Sequence, residues 1–396
     1  MAAFSFPDAQ ACVVERVRSF AAGIRPEKVP LAEAAGRVLA EDLAADRDYP
    51  PVARSTRDGF AVRAAFVPGE LRVIGEVRAG EMGGLTVGPG EAIEIMTGAS
   101  IPEGADAVVM VEHTTREGER LRIGRTAEPG QFINPQGTEA REGATVLRAG
   151  KRLDYSDIAL AATIGRARLP VFSKPTVAII ATGDEIVEIE DTPASFQVRN
   201  SNAQSLAAQV TRAGGLPRLL PIAQDVYEQT RALVERGLEA DLLLLSGGVS
   251  AGKYDLVERV LAGLGAEFYF DRVLIQPGQP LVFGRVRERF FFGLPGNPAS
   301  TMVTFELFAR TAIRLLGGER EAPLPLAFAR LSTGFRHKTG LTRFLPACLN
   351  PEGSLTPIAW QGSSDVPALS RANAYFVVDA DREEWKAGDL VRVLAK

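Results

Sequence analysis

Read for the alternation of apolar and polar positions, the chain changes texture several times. In DAQACVVERVRSFA, residues 8–21, Val13, Val14, Val17 and Phe20 share one face of a short helix that Asp8 can cap. A second helical pattern runs through VPLAEAAGRVLAEDL, residues 29–43, and the paired prolines of DRDYPPVARSTRDGF end it. From about residue 70 to 135 short β-prone runs such as ELRVIGEV, EAIEIM and ADAVVMVE are separated by Gly and Pro. Residues 138–172 read as helical again, above all DYSDIALAATIG. The simplest arrangement is a β domain (51–137) inserted into an elongated, α-containing linker and dimerisation domain (1–50 and 138–172).

Residues 173–323 alternate strand and helix. The strands TVAIIATG, PRLLPI, DLLLLSGG, EFYFDRVL, LVFGRV and FFFGL are interleaved with amphipathic helices, the last two strands being joined by a polar RER turn. Near-continuous apolar strands predict a mostly parallel sheet covered on both faces. Residues 324–396 return to β texture and predict a small barrel-like domain of about five strands. The expected fold class is therefore multi-domain: α/β plus β.

Composition narrows the function. A net charge of −4 over 396 residues supplies no field to attract a nucleic acid. Two cysteines and two histidines, all far apart, argue against a disulfide framework, a thiolate or histidine metal cluster, and a Ser-His-Asp triad. No basic-then-apolar leader and no apolar run near ~20 residues is present, so no membrane partner and a cytoplasmic location are expected.

The candidate chemistry lies in loops after the strands of 173–323, where ligands bind in doubly wound sheets. ATGDEI carries Thr182, Gly183, Asp184 and Glu185. SGGVSAGKYD carries Ser246, Gly247, Gly248, Ser250, Gly252 and Asp255. LPGNPAS carries Pro295, Gly296, Asn297 and Pro298. Glycines let amide groups converge on an anion, and Asn297 with Pro298 suits a capped helix start whose free N–H groups face one. A tight strand-to-helix turn explains each loop taken singly; two on one sheet edge favour a phosphorylated ligand. Glu185, Asp225 and Asp255 are the candidate ligands for Mg²⁺, a hard cation that bridges phosphates, although an Asp such as Asp255 also serves as a helix cap. Asp58 in STRDGF and Thr97 in IMTGAS read, by themselves, as ordinary turns.

Together the strings are recognisable. STRDGFAVRA, EIMTGA, GADAVVMVE, ATGDEI, VRNSN, SGGVSAGKYD, IQPGQP and LPGNPAS stand in the order seen in the molybdopterin molybdenumtransferase family, that of bacterial MoeA and the gephyrin E domain. The chain resembles that family from LAEAAGRVLAEDL to AGDLVRVL. The resemblance implies an elongated four-domain subunit in a homodimer, with a cleft between the α/β domain of one subunit and the inserted β domain of the other. It implies insertion of molybdate into adenylylated molybdopterin with Mg²⁺-dependent release of AMP, and contact with molybdopterin adenylyltransferase. It assigns catalytic roles to Asp58, Thr97, Glu185 and Arg272, metal binding to Glu185, Asp225 and Asp255, and substrate binding to the three loops, Ser201, Asn202, Gln276 and Gln279. Three departures stand out. QPGQP replaces the family's K-P-G-K-P, so Gln276 and Gln279 bring no charge. GQFINPQGTEAREG lacks the family's arginines. An aspartate pair is reduced to Asp225. Such changes would suit a paralogue specialised for tungstate or a modified pterin. The alternative readings are a molybdopterin adenylyltransferase, which lacks the S-x-x-D-G arm and the C-terminal barrel, and a non-catalytic scaffold.

Overall fold

The computed structural model describes residues 3–20, 25–81, 84–248 and 256–396. Its largest sheet has the strand order Leu216–Leu219, Thr176–Ala181, Leu242–Ser246, Arg289–Leu294, Pro280–Val286, Glu267–Arg272. The first four are parallel, and Pro280–Val286 is antiparallel to both of its neighbours. Strand periodicity divides the core. Val177, Ile179, Leu242, Leu244, Phe290 and Phe292 face one helical layer, whereas Ala178, Ile180, Leu243, Leu245 and Phe291 face the other. The RER turn is a two-residue hairpin in which Arg287 and Glu288 both adopt positive φ, 46° and 66°, the left-handed pair that matches strand twist.

From the first strand the chain crosses to one neighbour, Leu216–Leu219, and then to the other, Leu242–Ser246. The order therefore reverses between Thr176–Ala181 and Leu242–Ser246. That switch point opens a crevice at their carboxyl ends, where Thr182 and Ser246 stand.

Residues 326–395 form a five-stranded closed barrel: strand Thr342–Leu349 pairs with both Ser354–Pro357 and Ala374–Val378, and Leu326–Leu331 and Leu390–Ala395 complete the ring. Residues 59–123 supply a six-stranded sheet with its own cores around Phe60, Val62 and Leu121 and around Ile93, Ile95 and Val108.

Three local expectations are corrected. The first helix spans Phe6–Arg18, and Ser5, not Asp8, caps it by accepting the Asp8 N–H at 3.3 Å. Its buried face (Phe6, Ala9, Val13, Val17) packs into the core of the large sheet. Residues 29–43 are not a helix. Pro26–Pro30 pairs antiparallel with Arg168–Phe172, a single 3₁₀ turn follows, and Gly36 takes φ +75°. Pro30 and that left-handed glycine break the helical pattern, while Val29, Ala34, Leu39 and Leu43 still reach a core, along an extended path. Within 138–172 the helix is confined to Tyr155–Thr163, closed by a capping box between Asp154 and Asp157.

Candidate active site

Beyond the switch point lies a cleft of about 750 Å³, within the ~300–1,000 Å³ usual for small-molecule sites. It gathers Thr182, Gly183, Glu185, Ser201, Asn202, Asp225, Ser246, Gly247, Gly248, Pro295, Gly296, Asn297 and Pro298. Ser250, Gly252 and Asp255 lie outside the described residues.

The floor is built by close approach. Gly247 has φ +94°, and a Cβ there would stand 2.6 Å from the Thr182 carbonyl oxygen. Gly248 has φ +63°, and a Cβ would meet Val257 Cγ2 at 2.7 Å and Thr182 Oγ1 at 2.8 Å. Only glycine fits both the torsion and the space. One side chain joins the two walls. Asn202 Nδ2 donates to Ser246 Oγ at 2.8 Å and to the Gly296 carbonyl at 2.7 Å. Two buried oxygens, Thr182 Oγ1 and Asn202 Oδ1, have no partner among the described residues, and Thr182 is only 5% exposed. Buried polar atoms are ordinarily satisfied, so this pair points to a ligand.

The expected cradle of backbone amides is largely spent internally. Thr182 N–H donates to Ser246, Gly183 to Ala223, and Gly247 to Leu294. Asn297 is the cap residue of the helix beginning at Pro298, but its side chain makes no capping bond. Pro298 has no N–H, and the Ala299 N–H donates to the Ser363 carbonyl at 2.9 Å. Sheet and barrel contacts extend a residue or two into the loops and claim these four donors. Ser364 and Arg199 also line the cleft. Sequence reasoning passed over both. The only signal for Ser364 was the polar GSSD run before helix Val366–Arg371, which Asp365 caps by accepting the Ala368 N–H.

Acidic residues crowd one rim. Asp184 Oδ1 accepts the Asp225 N–H at 3.0 Å. Although its side chain reaches solvent, Asp225 is pushed above the ordinary carboxylate range, first by partial desolvation and then by the charges of Asp184 and Glu185. The sign follows from linkage. A carboxyl raised in the fold favours the folded state below its unfolded value, and that contribution is lost as pH rises through the raised folded value. Asp225→Asn is therefore expected to be more stable than the parent at neutral pH, by less than about 1 kcal/mol after screening. The gap should close toward pH 3, as thermal melts across that range will show.

Asp58 and Thr97 meet each other but do not line this cleft. Asp58 Oδ1 accepts both the Thr97 N–H at 2.6 Å and the Thr97 hydroxyl at 2.9 Å, and these bonds, the backbone one first, hold its carboxyl below the usual range. Arg272 ends its strand in register with Pro280, a lining residue; Arg272, Asp184, Gln276 and Gln279 stay outside the lining. Gln276 Oε1 accepts from Arg343 Nε at 2.8 Å, and Arg343 is nearly buried. A lysine at 276 would meet that guanidinium as a like charge, which accounts physically for the glutamine. Among the described residues no three His, Cys, Asp or Glu side chains converge on a metal position.

The fold and this cleft fit a class of molybdopterin-handling α/β enzymes, and the comparisons identify it. Residues 4–165 match the MoeA N-terminal region (domain I and II), residues 178–315 the probable molybdopterin binding domain, and residues 329–396 the MoeA C-terminal region (domain IV). The chain is 37% identical over 399 residues to the molybdopterin molybdenumtransferase of Bacillus subtilis, covering 96% of this chain and 92% of that one. It is 36% identical over 380 residues to that of Synechococcus elongatus, covering 93% and 94%. The crystal structure of the molybdopterin biosynthesis MoeA protein from Pyrococcus horikoshii OT3 superposes with a TM-score of 0.83 at 30% identity, over 100% of both chains. The chain belongs to the molybdopterin molybdenumtransferase (MoeA) family. It is a transferase of molybdenum cofactor biosynthesis.

Proposed function

We propose that this chain inserts molybdate into adenylylated molybdopterin in the cleft between Thr182, Asn202, Ser246 and Asn297, with release of AMP. The observation that carries this reading is the pair of unpartnered buried oxygens at the switch point, Thr182 Oγ1 and Asn202 Oδ1. The Thr182 hydroxyl donates to a phosphate oxygen, and the Asn202 carbonyl oxygen accepts from the N–H-rich pterin or adenine edge. Glycines 247 and 248 let the substrate approach the strand ends, and Arg199 adds a cation at the rim.

The carboxylates fit Mg²⁺ by chemistry: all are hard oxygen donors, and Asp225 is raised first by partial desolvation and then by the neighbouring charges of Asp184 and Glu185. Mg²⁺ commonly takes one or two protein carboxylates and completes its shell with phosphates and water, so the lack of a three-residue cluster among the described residues is consistent. Glu185 and Asp225, with Asp255, would hold it. When bound, it supplies charge neutralisation at the phosphoanhydride.

Asp58 and Thr97 act from the partner subunit of a homodimer, since they form one prepared unit yet do not line their own subunit's cleft. Arg272, Gln276 and Gln279 are assigned to the oxyanion from outside the cleft's own lining, with Arg343 fixing the Gln276 amide so that its NH₂ is the end left to donate. Molybdate is the assigned substrate, with tungstate the alternative oxyanion. No helix among the described residues is long and apolar enough to cross a membrane.

The test is AMP release from adenylylated molybdopterin with molybdate and Mg²⁺. Turnover is expected, with Asp58→Asn and Glu185→Gln each at least tenfold slower. A heterodimer carrying one variant in each subunit should retain about half the activity per dimer if the sites are shared as proposed. Formation of the adenylate from ATP and molybdopterin, or binding without turnover at saturating metal, would overturn the assignment.

A further inference from the structure

A second concentration of chemistry lies away from the cleft. Arg152, Arg212, Arg310, Arg314 and Lys396 line a cavity of about 350 Å³ whose described lining contains no Asp or Glu. We propose that this cavity binds a phosphoryl dianion, as free phosphate or as the head of a small phosphate monoester.

The charge balance is the first argument. Glu306 pairs with Arg212 at 2.9 Å and with Arg310 at 3.6 Å, while Glu319 pairs with both Arg152 and Arg314. Both glutamates are buried behind the lining, so four guanidinium groups share two carboxylates. Two positive charges remain before Lys396 is counted.

Unmet donors are the second argument. Arg310 Nε and Nη2 are buried and have no hydrogen-bond partner among the described residues. The Arg310 side chain is only 12% exposed, and burial together with Arg212 and Arg314 pulls it below the ordinary guanidinium range. Its neighbours are already committed: Arg152 to Gly36 and Ala213 carbonyls, Arg314 to the Pro323 carbonyl, Lys396 to those of Leu369 and Ala372. Arg310, held among the described residues only by the 3.6 Å ion pair to Glu306, is thus the cation with donors to spare. It follows a π-turn, Phe305–Ala309, which sets Glu306 and Arg310 on this side of the helix; such turns are frequent at functional sites.

Several guanidinium forks around one space suit a tetrahedral, doubly charged oxyanion better than a halide or a single carboxylate. The volume sits at the small end of ligand pockets and leaves room for a short ester group. Because the residues come from the 26–172 region, the large sheet's helices and the end of the barrel, occupancy would brace all three against one another.

The proposal does not depend on the reading of the cleft, and the test keeps the two apart. Calorimetric titration of the full chain with inorganic phosphate, and separately with glycerol phosphate, is run in chloride of matched ionic strength. Saturable binding is expected, weakened at least tenfold in Arg310→Gln and also in Arg212→Gln, whose side chain is half-exposed and whose fold is checked by its circular dichroism spectrum. Asn202→Ala, which disturbs the cleft, should leave this binding unchanged. Tighter binding of glycerol phosphate supports an ester head, and equal binding supports the free ion. No saturable heat, heats in both arginine variants equal to those of the parent, or loss of the heat in Asn202→Ala overturns the proposal.

Discussion

Asn202→Ala is expected to slow AMP release by about 10²-fold or more while leaving the far-ultraviolet spectrum unchanged. The reason is mechanical as much as chemical. One Nδ2 group ties the end of strand Leu242–Ser246 to the Gly296 carbonyl of the neighbouring loop. Without it the two walls of the cleft are free to part, and misplacement of about 1 Å is enough for a loss of ~10²-fold. The same substitution deletes Oδ1, a group left for the ligand. The two roles separate in kinetics. A lost ligand contact that acts equally in ground and transition states raises KM alone, whereas loosened walls lower kcat. Asn202→Asp keeps an oxygen toward the ligand but not the bridging N–H groups, so it should resemble alanine in kcat. Normal kcat in Asn202→Asp would remove the mechanical part of the account.

The largest effect on stability is expected at Glu306→Ala, a loss of about 3–5 kcal/mol, because removing one member of a buried ionic group leaves its partners uncompensated. Glu306 is 2% exposed. It accepts from Gln209 Nε2 at 2.8 Å and from Arg212, and it is the counter-charge to Arg310. Glu306→Gln keeps an acceptor for Gln209 and Arg212 but no charge, and should fall between the two. Urea unfolding monitored by fluorescence gives the comparison; a loss under 1 kcal/mol for alanine would mean that the arginines find solvent instead.

These expectations show which features were legible in the chain. The large sheet was, because Val177, Ile179, Leu242 and Leu244 alternate with residues equally apolar on the opposite face, and such a run has few other folds open to it. The loops at its edge were found for the same reason: Gly247, Gly248 and Gly296 stand where strand periodicity stops. Residues 29–43 misled, since Leu31, Ala34, Val38 and Leu39 imitate helical spacing while the left-handed Gly36 interrupts it. Pairings between distant segments had no local signature. Nothing near Asp58 announces Thr97, and nothing near Gln276 announces Arg343. The fate of the loop amides was equally hidden. Whether the Ala299 N–H is available depends on Ser363, a barrel residue whose approach is decided only by tertiary packing.

The first helix carries a consequence for how the molecule is assembled. Gln10 donates to the Leu307 carbonyl, and Val13 and Val17 share a core with Ile313 and Leu315. The opening residues therefore wait for a docking surface that is synthesised nearly three hundred positions later, on the order of 15–60 s at ribosomal speed. In topological terms residues 26–172 are an insertion between this helix and the large sheet it packs on, so cutting the sheet out at residue 173 would bare an apolar furrow instead of yielding an autonomous domain.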